Sequence, residues 1–340
     1  MELPISSLET SKDSYLLSSK LPLARYRFTA QVQAPLELPH FAGSLLRGQF
    51  GAALRNLACM TRQPTCHGCP LLQTCPYTRI FEAPPPPKRN PVHGTHAQQD
   101  FSQIPQPYVM EPPAPGVRLL ATGDLLEFHM VLVGTAIDQL ALVLFAVQRA
   151  LQQGLTRQRI PAELQRVDWL DTHGQAQPIW SHDQPTLAEH RAEIAIPPAP
   201  SAIDTITLHI HTPLRLQSQG KPLGVGQLNP RALVAAVARR TSLLMEFHAE
   251  QSGWGEAGKA VAFLSDTLTD EQQLKWYDWT RYSSRQQQEM TLGGVMGRWS
   301  LHGSPDALAS IWPWLWLGQW LHVGKNATMG MGGYRLGSAV

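Results

Sequence analysis

The chain has four cysteines, Cys59, Cys66, Cys69 and Cys75, and all fall within 17 of its 340 residues, in "CMTRQPTCHGCPLLQTC". A C-x2-C pair sets two thiolates on one tight turn, and two more at loop-length separations complete the tetrahedral set of a closed, structural zinc site. Four thiolates leave no position for a reactive water, so such a metal would brace a loop and perform no hydrolysis. Free thiols or a redox pair are the alternatives, since disulfides that staple a large fold are not confined to one short segment. His67, inside the knuckle, is superfluous beside four cysteines.

His40 stands out among thirteen histidines. It sits in "LPHFAGSLLRG", where an extended segment gives way to a helix and Arg47 follows about two turns on. A histidine there can titrate near neutrality as general base or acid. His209 and His211, on a strand pattern, read as inert.

Near the carboxyl end, "GKNATMGMGGYRL" (Gly324–Leu336) places four glycines in ten positions. A nucleotide-binding P-loop runs from a strand through glycines into a helix, whereas here a tryptophan-rich helix leads in and a strand leads out, which excludes an ATP site. Backbone N–H groups in such a loop can form an anion nest for a phosphodiester, with Lys325 adding charge, or the glycines can serve a flexible turn. The stretch "WYDWTRYSSRQQQEM" carries Arg281, Tyr282 and Arg285, which suit phosphate and unpaired bases, or else form a solvated loop. From Asp270 to Val340 six Lys or Arg face five Asp or Glu, so charge adds little to the first of these readings.

Elements must hold these groups in place. "LARYRFTAQVQ" alternates as a strand, and the apolar spacing of "FAGSLLRGQFGAALRNLAC" predicts a helix despite three glycines. Residues 83–116, rich in proline, predict a long surface excursion. "LLEFHMVLV" predicts a strand, "AIDQLALVLFAVQRALQQG" a helix ending at Gly154, and "RVDWLD" a short strand. The second half repeats the order: a strand over Thr205–Leu216, a helix capped by Asn229 and opened by Pro230, a strand in "EMTLGGVMGRWSLHG", a helix from Ser304-Pro305 kinked at Pro313, and a closing strand "GGYRL". The pattern predicts an α+β chain of two tandem ferredoxin-like domains with antiparallel sheets, over residues 20–200 and 201–340, with a zinc knuckle at 59–75 inserted in the first.

Hydrophobic residues at 43% and charged residues at 16% exclude a disordered or fibrous chain, and a net charge of +2 neither proposes nor excludes a nucleic-acid partner. No run approaches the ~18–20 apolar residues of a membrane span, and "MELPISSLETSKDSY" lacks a signal-peptide layout, so a cytoplasmic protein is expected.

Together these motifs resemble the CRISPR-associated pre-crRNA-processing endoribonucleases of the RAMP superfamily, in the branch with a cysteine knuckle. "LPHFAGSLLRGQFGAALR" and "CHGCPLLQTCPYTRIFE" carry the resemblance in the first half, "RYSSRQQQEMTLGGVMGRWSLHG" and "GKNATMGMGGYRL" in the second. It implies two ferredoxin-like domains and a loop of Gly324, Lys325, Asn326, Gly330, Gly332, Gly333 and Tyr334 that contacts RNA, with Arg281 and Arg285 alongside. It also implies cleavage of CRISPR repeat RNA into crRNA without a catalytic metal. The ribose 2′-hydroxyl attacks the adjacent phosphate, leaving 2′,3′-cyclic phosphate and 5′-hydroxyl ends. Such attack needs a base, an acid and positive charge on the phosphorane. His40 fits the family's first-domain histidine, Arg47, Arg25 and Arg27 are candidate charges, and Tyr26 could orient the sugar. Related RAMP proteins bind guide RNA as non-cutting subunits of CRISPR effector complexes, which gives the alternative reading and adds other effector proteins as possible partners. A zinc-knuckle DNA-binding protein is a third reading, but the chain shows no recognition helix rich in Arg or Lys.

Overall fold

The computed structural model describes residues 20–87, 101, 103–114, 118–283 and 288–337. Strand β1 (Leu23–Val32) turns Ala24, Tyr26, Phe28 and Ala30 into one core and Leu23 into another. After the short β2 (Leu36–Glu37), helix α1 (Gly43–Ala58) buries Leu46, Phe50 and Leu54 at helical spacing on the first core. Strands β3 (Tyr108–Glu111), β4 (Leu119–Leu120) and β5 (Leu125–Val133) follow, then helix α2 (Leu140–Gln153) and strands β6 (Ala162–Leu170) and β7 (Ala176–Ser181). The main sheet has the order β3-β5-β1-β6-β7 with every neighbouring pair antiparallel, while β2 pairs with β4. The run β1-α1-β3-β5-α2-β6 is therefore a β-α-β-β-α-β unit with β7 added at one edge.

The second half builds the same unit. Strand β8 (Thr205–Leu214) precedes a small hairpin, β9 (Gln217–Ser218) with β10 (Lys221–Pro222). Helices α3 (Pro230–His248) and α4 (Trp254–Leu264) come next, then the long strands β11 (Thr269–Ser283) and β12 (Gln288–His302), helix α5 (Pro305–Leu321) and strand β13 (Tyr334–Leu336). The sheet order is β11-β12-β8-β13, again antiparallel throughout. The predicted caps form: Asn229 accepts from the N–H of Ala232 at 2.9 Å and Ser304 from that of Ala307 at 3.3 Å. Helix α5 continues through Pro313.

The two units share a core. Leu21, Leu23, Val109, Val131 and Val133 of the first sheet pack with α3, α5 and β8 of the second domain.

Four expectations change. Residues 83–116 hold β3, whose Tyr108, Val109 and Met110 are buried; Pro107 and Pro112 bracket this strand rather than interrupt it, so proline sets its ends without preventing it. "WYDWTRYS" belongs to β11 and not to a loop, because β12 supplies a partner in register for a strand whose own sequence is mostly polar. Helix α4 lies in a stretch where no element was expected. Gly134–Gln153 is long and apolar enough by length and composition to cross a membrane, yet Leu140, Val143, Leu144, Val147 and Leu151 lie in the first core, as in a core helix of a folded domain.

Candidate active site

His40 occupies the bend between β2 and α1, with its ring exposed. Its neighbour Phe41 is buried and anchors the bend: its ring lies 4.8 Å from Trp279 of β11, in a cluster with Leu292, Met329 and Met331. Two residues on, a Cβ at Gly43 would strike the carbonyl of Met329, so α1 begins in direct contact with the glycine-rich loop. A first-domain histidine is thus carried on a seam made by both domains.

Across that seam stands Tyr277 of β11. Its hydroxyl lies 2.8 Å from Nε2 of His40 and also within reach of Nδ1, with the ring centroids 5.3 Å apart and tilted by 55°. Burial raises the Tyr277 phenol pKa above its ordinary value against the opposing pull of Arg118, so the hydroxyl keeps its proton at neutral pH. Arg118 donates to Leu38 O at 3.4 Å and to Glu37 at 3.1 Å, beside the segment that ends in His40. Sequence reasoning missed both residues. Tyr277 and His40 are 237 positions apart, and Arg118 is a lone cation with no motif around it.

The other catalytic candidates are committed elsewhere. Tyr26 is fully buried and its hydroxyl meets Nε2 of His190 at 2.9 Å; burial pushes its phenol far up, so it stays neutral inside the core. Strand alternation sends Arg25 and Arg27 to the opposite face of β1. Arg25 is 6% exposed, pairs with Glu111 at 3.0 Å, donates to Gln319 O at 2.9 Å and stacks 4.3 Å over Trp320 of α5. Arg27 is held at 2.9 Å by the buried Asp168, which also takes Arg166. Arg47 lies 4.3 Å over the Phe81 ring. These contacts make Arg25 a strut between domains and Arg27 and Arg47 braces within the first.

Glu111 also meets Nε2 of His322 at 3.1 Å, while Nδ1 of His322 faces Met331 O at 3.2 Å. Burial pushes the Glu111 carboxyl up, but Arg25 and His322 outweigh it and hold it well below the usual carboxylate range.

The glycine-rich loop is packed, not open. Gly330, Gly332, Gly333 and Tyr334 are buried, Gly324 and Asn326 are half-buried, and Lys325 is exposed. Gly330, at φ +89°, lies 2.6 Å from the Met110 carbonyl by its would-be Cβ, so only glycine lets the loop close on β3 of the first domain. The N–H groups of Lys325, Met329, Gly330 and Gly332 donate to Arg215, Asn326, Ala327 and Pro213 carbonyls, and that of Gly333 to Thr212 Oγ1. Those five amides are therefore already paired within the fold, and Lys325 is the loop's outward-facing charge. Arg281 belongs to β11, and Arg285 lies outside the described residues.

The four cysteines are free and half-buried around a turn in which Cys69 N–H donates to Cys66 O at 3.2 Å. Arg55 holds the loop through Pro64 O at 2.8 Å. Thr61 Oγ1 sits 3.9 Å from Cys59 Sγ and 3.5 Å from Cys69 Sγ. Burial first, then Glu82, pushes the Cys66 thiol up against the opposing pull of Arg55, and Cys59 and Cys69 add to the rise. A thiolate donor set of this kind suits zinc. Among the described residues no three metal-ligating side chains are gathered into one coordination sphere.

Two family models match the chain. The AF_1859_N N-terminal domain matches residues 21–192, and the CRISPR-associated endoribonuclease Cas6 model matches residues 208–334. No curated protein matches it. Among solved structures, a Cas6 (TTHB231) product complex aligns with a TM-score of 0.55 at 15% identity, covering 92% of this chain and 99% of that one. Thermus thermophilus Cas6 (TTHB231) aligns at 0.51 and 15%, over 94% and 99% of the two chains. A partial Cas6-RT-Cas1–Cas2 complex aligns at 0.51 and 13%, over 95% of this chain and 47% of that one. With the AF_1859_N model on the first ferredoxin-like half, the chain belongs to the family which that N-terminal domain defines, and its second half matches the CRISPR-associated endoribonuclease Cas6 model.

Proposed function

We propose that the protein cuts CRISPR repeat precursor RNA into guide RNAs in the cytoplasm. The ribose 2′-hydroxyl attacks the adjacent phosphate, and the products carry 2′,3′-cyclic phosphate and 5′-hydroxyl ends. The observation that supports this reading is the exposed His40 ring, fixed by the anchored Phe41 on the seam of the two domains. His40 takes the proton of the attacking hydroxyl, and Arg118 is the nearby cation suited to the crowded phosphate. The side chains carry the reaction, with no metal assigned to it. Cys59, Cys66, Cys69 and Cys75, free thiols around one turn, would hold a structural zinc by closing further upon it, and the metal would brace the loop after α1.

The test is cleavage of the organism's own repeat RNA in chelator, beside the same RNA with a 2′-deoxy substitution at the cut position. The natural RNA should be cut at one site and the substituted RNA left whole. Cutting of the deoxy RNA refutes the 2′-hydroxyl mechanism. Tight binding without any cutting identifies a guide-RNA-binding subunit instead. For the metal, protein purified without added zinc should carry about one zinc per chain, and its removal should lower Tm; metal-free protein of unchanged Tm refutes the bracing role.

A further inference from the structure

A histidine that abstracts a proton works best when one ring nitrogen is held and the other is left free for the substrate. Among the described residues, Tyr277 is the hydrogen-bonding partner of the His40 ring: its Oη lies 2.8 Å from Nε2 and is also within reach of Nδ1, against the edge that carries both nitrogens. Tyr277 is itself precisely placed by its strand. It stands opposite Gly294 in the β11–β12 ladder, and Trp279, two residues on along the same face, is 6% exposed and packs on Phe41 beside His40. The opposite face of β11 is separately tied by Trp276, whose indole donates to Asp278 at 2.7 Å. One pair of neighbouring aromatics on β11 therefore meets one pair of neighbouring residues ahead of α1: Trp279 fixes Phe41, and Tyr277 meets His40.

We propose that Tyr277, supplied by the second domain, is the positioning residue for His40. This rests on the reading of His40 as the proton acceptor. On RNA binding the Tyr277 hydroxyl keeps one of the two imidazole nitrogens it faces and leaves the other to the attacking 2′-hydroxyl. The 2′-oxygen bonds to phosphorus as the bond from phosphorus to the 5′-oxygen breaks. His40 receives the 2′-hydroxyl proton, a proton from solvent reaches the 5′-oxygen, and Tyr277 keeps its own. Among the described residues, Arg118 and Glu37 are charged groups beside this pair, and they bridge to each other at 3.1 Å.

The experiment is a double-mutant cycle with full-length protein, single-turnover kinetics and an end-labelled RNA of one repeat with flanking spacer. Tyr277→Phe should slow cleavage by about 10²-fold, the scale of a misplaced reacting group. Its affinity for the 2′-deoxy form of the same RNA should stay at the wild-type value, and its pH–rate profile should change shape. In a His40→Ala background, Tyr277→Phe should cause no further loss, because a residue acting through His40 has nothing left to position. Full additivity of the two losses, or Tyr277→Phe cutting like wild type with an unchanged pH profile, overturns the proposal while leaving His40 in place. His40→Ala cutting at the wild-type rate refutes the reading of His40 itself.

Discussion

Lys325 is the single charged side chain between Gly324 and Gly333, and it is exposed while most of the loop around it is packed. Lys325→Ala should weaken binding of repeat RNA and lower the slope of log affinity against log salt by about 1, the mark of one lost phosphate contact, with the cleavage rate at saturating RNA unchanged. Filter binding across a salt series checks this. Arg25 calls for the opposite expectation. It is buried against Glu111 and Trp320, so Arg25→Ala should lose roughly 3 kcal/mol of stability by leaving a buried carboxylate unpaired, and any loss of cutting should follow unfolding rather than RNA affinity. The place of His40 in the fold was legible because it sits at a predicted strand-to-helix switch. Arg25, Arg27 and Tyr26 misled because a strand with charged and aromatic members looks alike whether those residues face solvent, a neighbouring domain or a core.

Helix α1 contains glycines whose substitution should have opposite signs. At Gly48 a Cβ meets nothing within 4 Å, so Gly48→Ala should gain up to about 1 kcal/mol from helix propensity. At Gly43 a Cβ runs into the Met329 carbonyl, so Gly43→Ala should cost stability despite the same propensity gain. Urea melts of the two variants decide it. His248 closes α3, and its Nε2 lies 2.7 Å from Pro105 O. Burial lowers its pKa to about 4, so the folded protein keeps it neutral while the unfolded chain protonates near 6.5. The unfolded state then binds more protons between those values, and stability falls as pH drops through that window, by about 3 kcal/mol in full. His248→Gln should flatten the dependence of Tm on pH between about 4 and 6.5. Capped helices such as α3 and α5 could be read directly, since Asn-Pro and Ser-Pro mark their starts. Helix α4 could not: it opens after Gly253 and carries two glycines in eleven residues. Strands β3 and β11 were hidden for a different reason, since each is defined by the partner that pairs with it.

At the scale of the whole molecule, the repetition was visible in the sequence, because each half reads strand, helix, strand, helix, strand in the same order, and the structure adds β3 and β11 to complete the two β-α-β-β-α-β units. The seam was not. It joins His40 to Tyr277, Arg25 to Gln319 and Glu111 to His322, pairs separated by more than 200 residues. Its charge balance gives a pH expectation. Glu111 is held ionised by Arg25 and His322, so its contribution is fully present above the ordinary carboxylate pKa of about 4.3 and is lost as pH falls below it. Domain separation followed by scattering or limited proteolysis should begin on that acidic side and be advanced by Glu111→Gln.

The packed glycine-rich loop also bears on how the protein is made. Gly330 closes on Met110, 220 residues earlier in the chain, and β13 pairs with β8 across more than 120 residues. During synthesis the first domain emerges with the rim around Met110 uncovered, and the seam that carries His40 is assembled when this late segment docks. A ribosome-bound chain arrested before Gly324 should therefore display a folded first domain with the seam at His40 still open and none of the proposed cleavage, so the candidate site is completed only after the late segment has emerged.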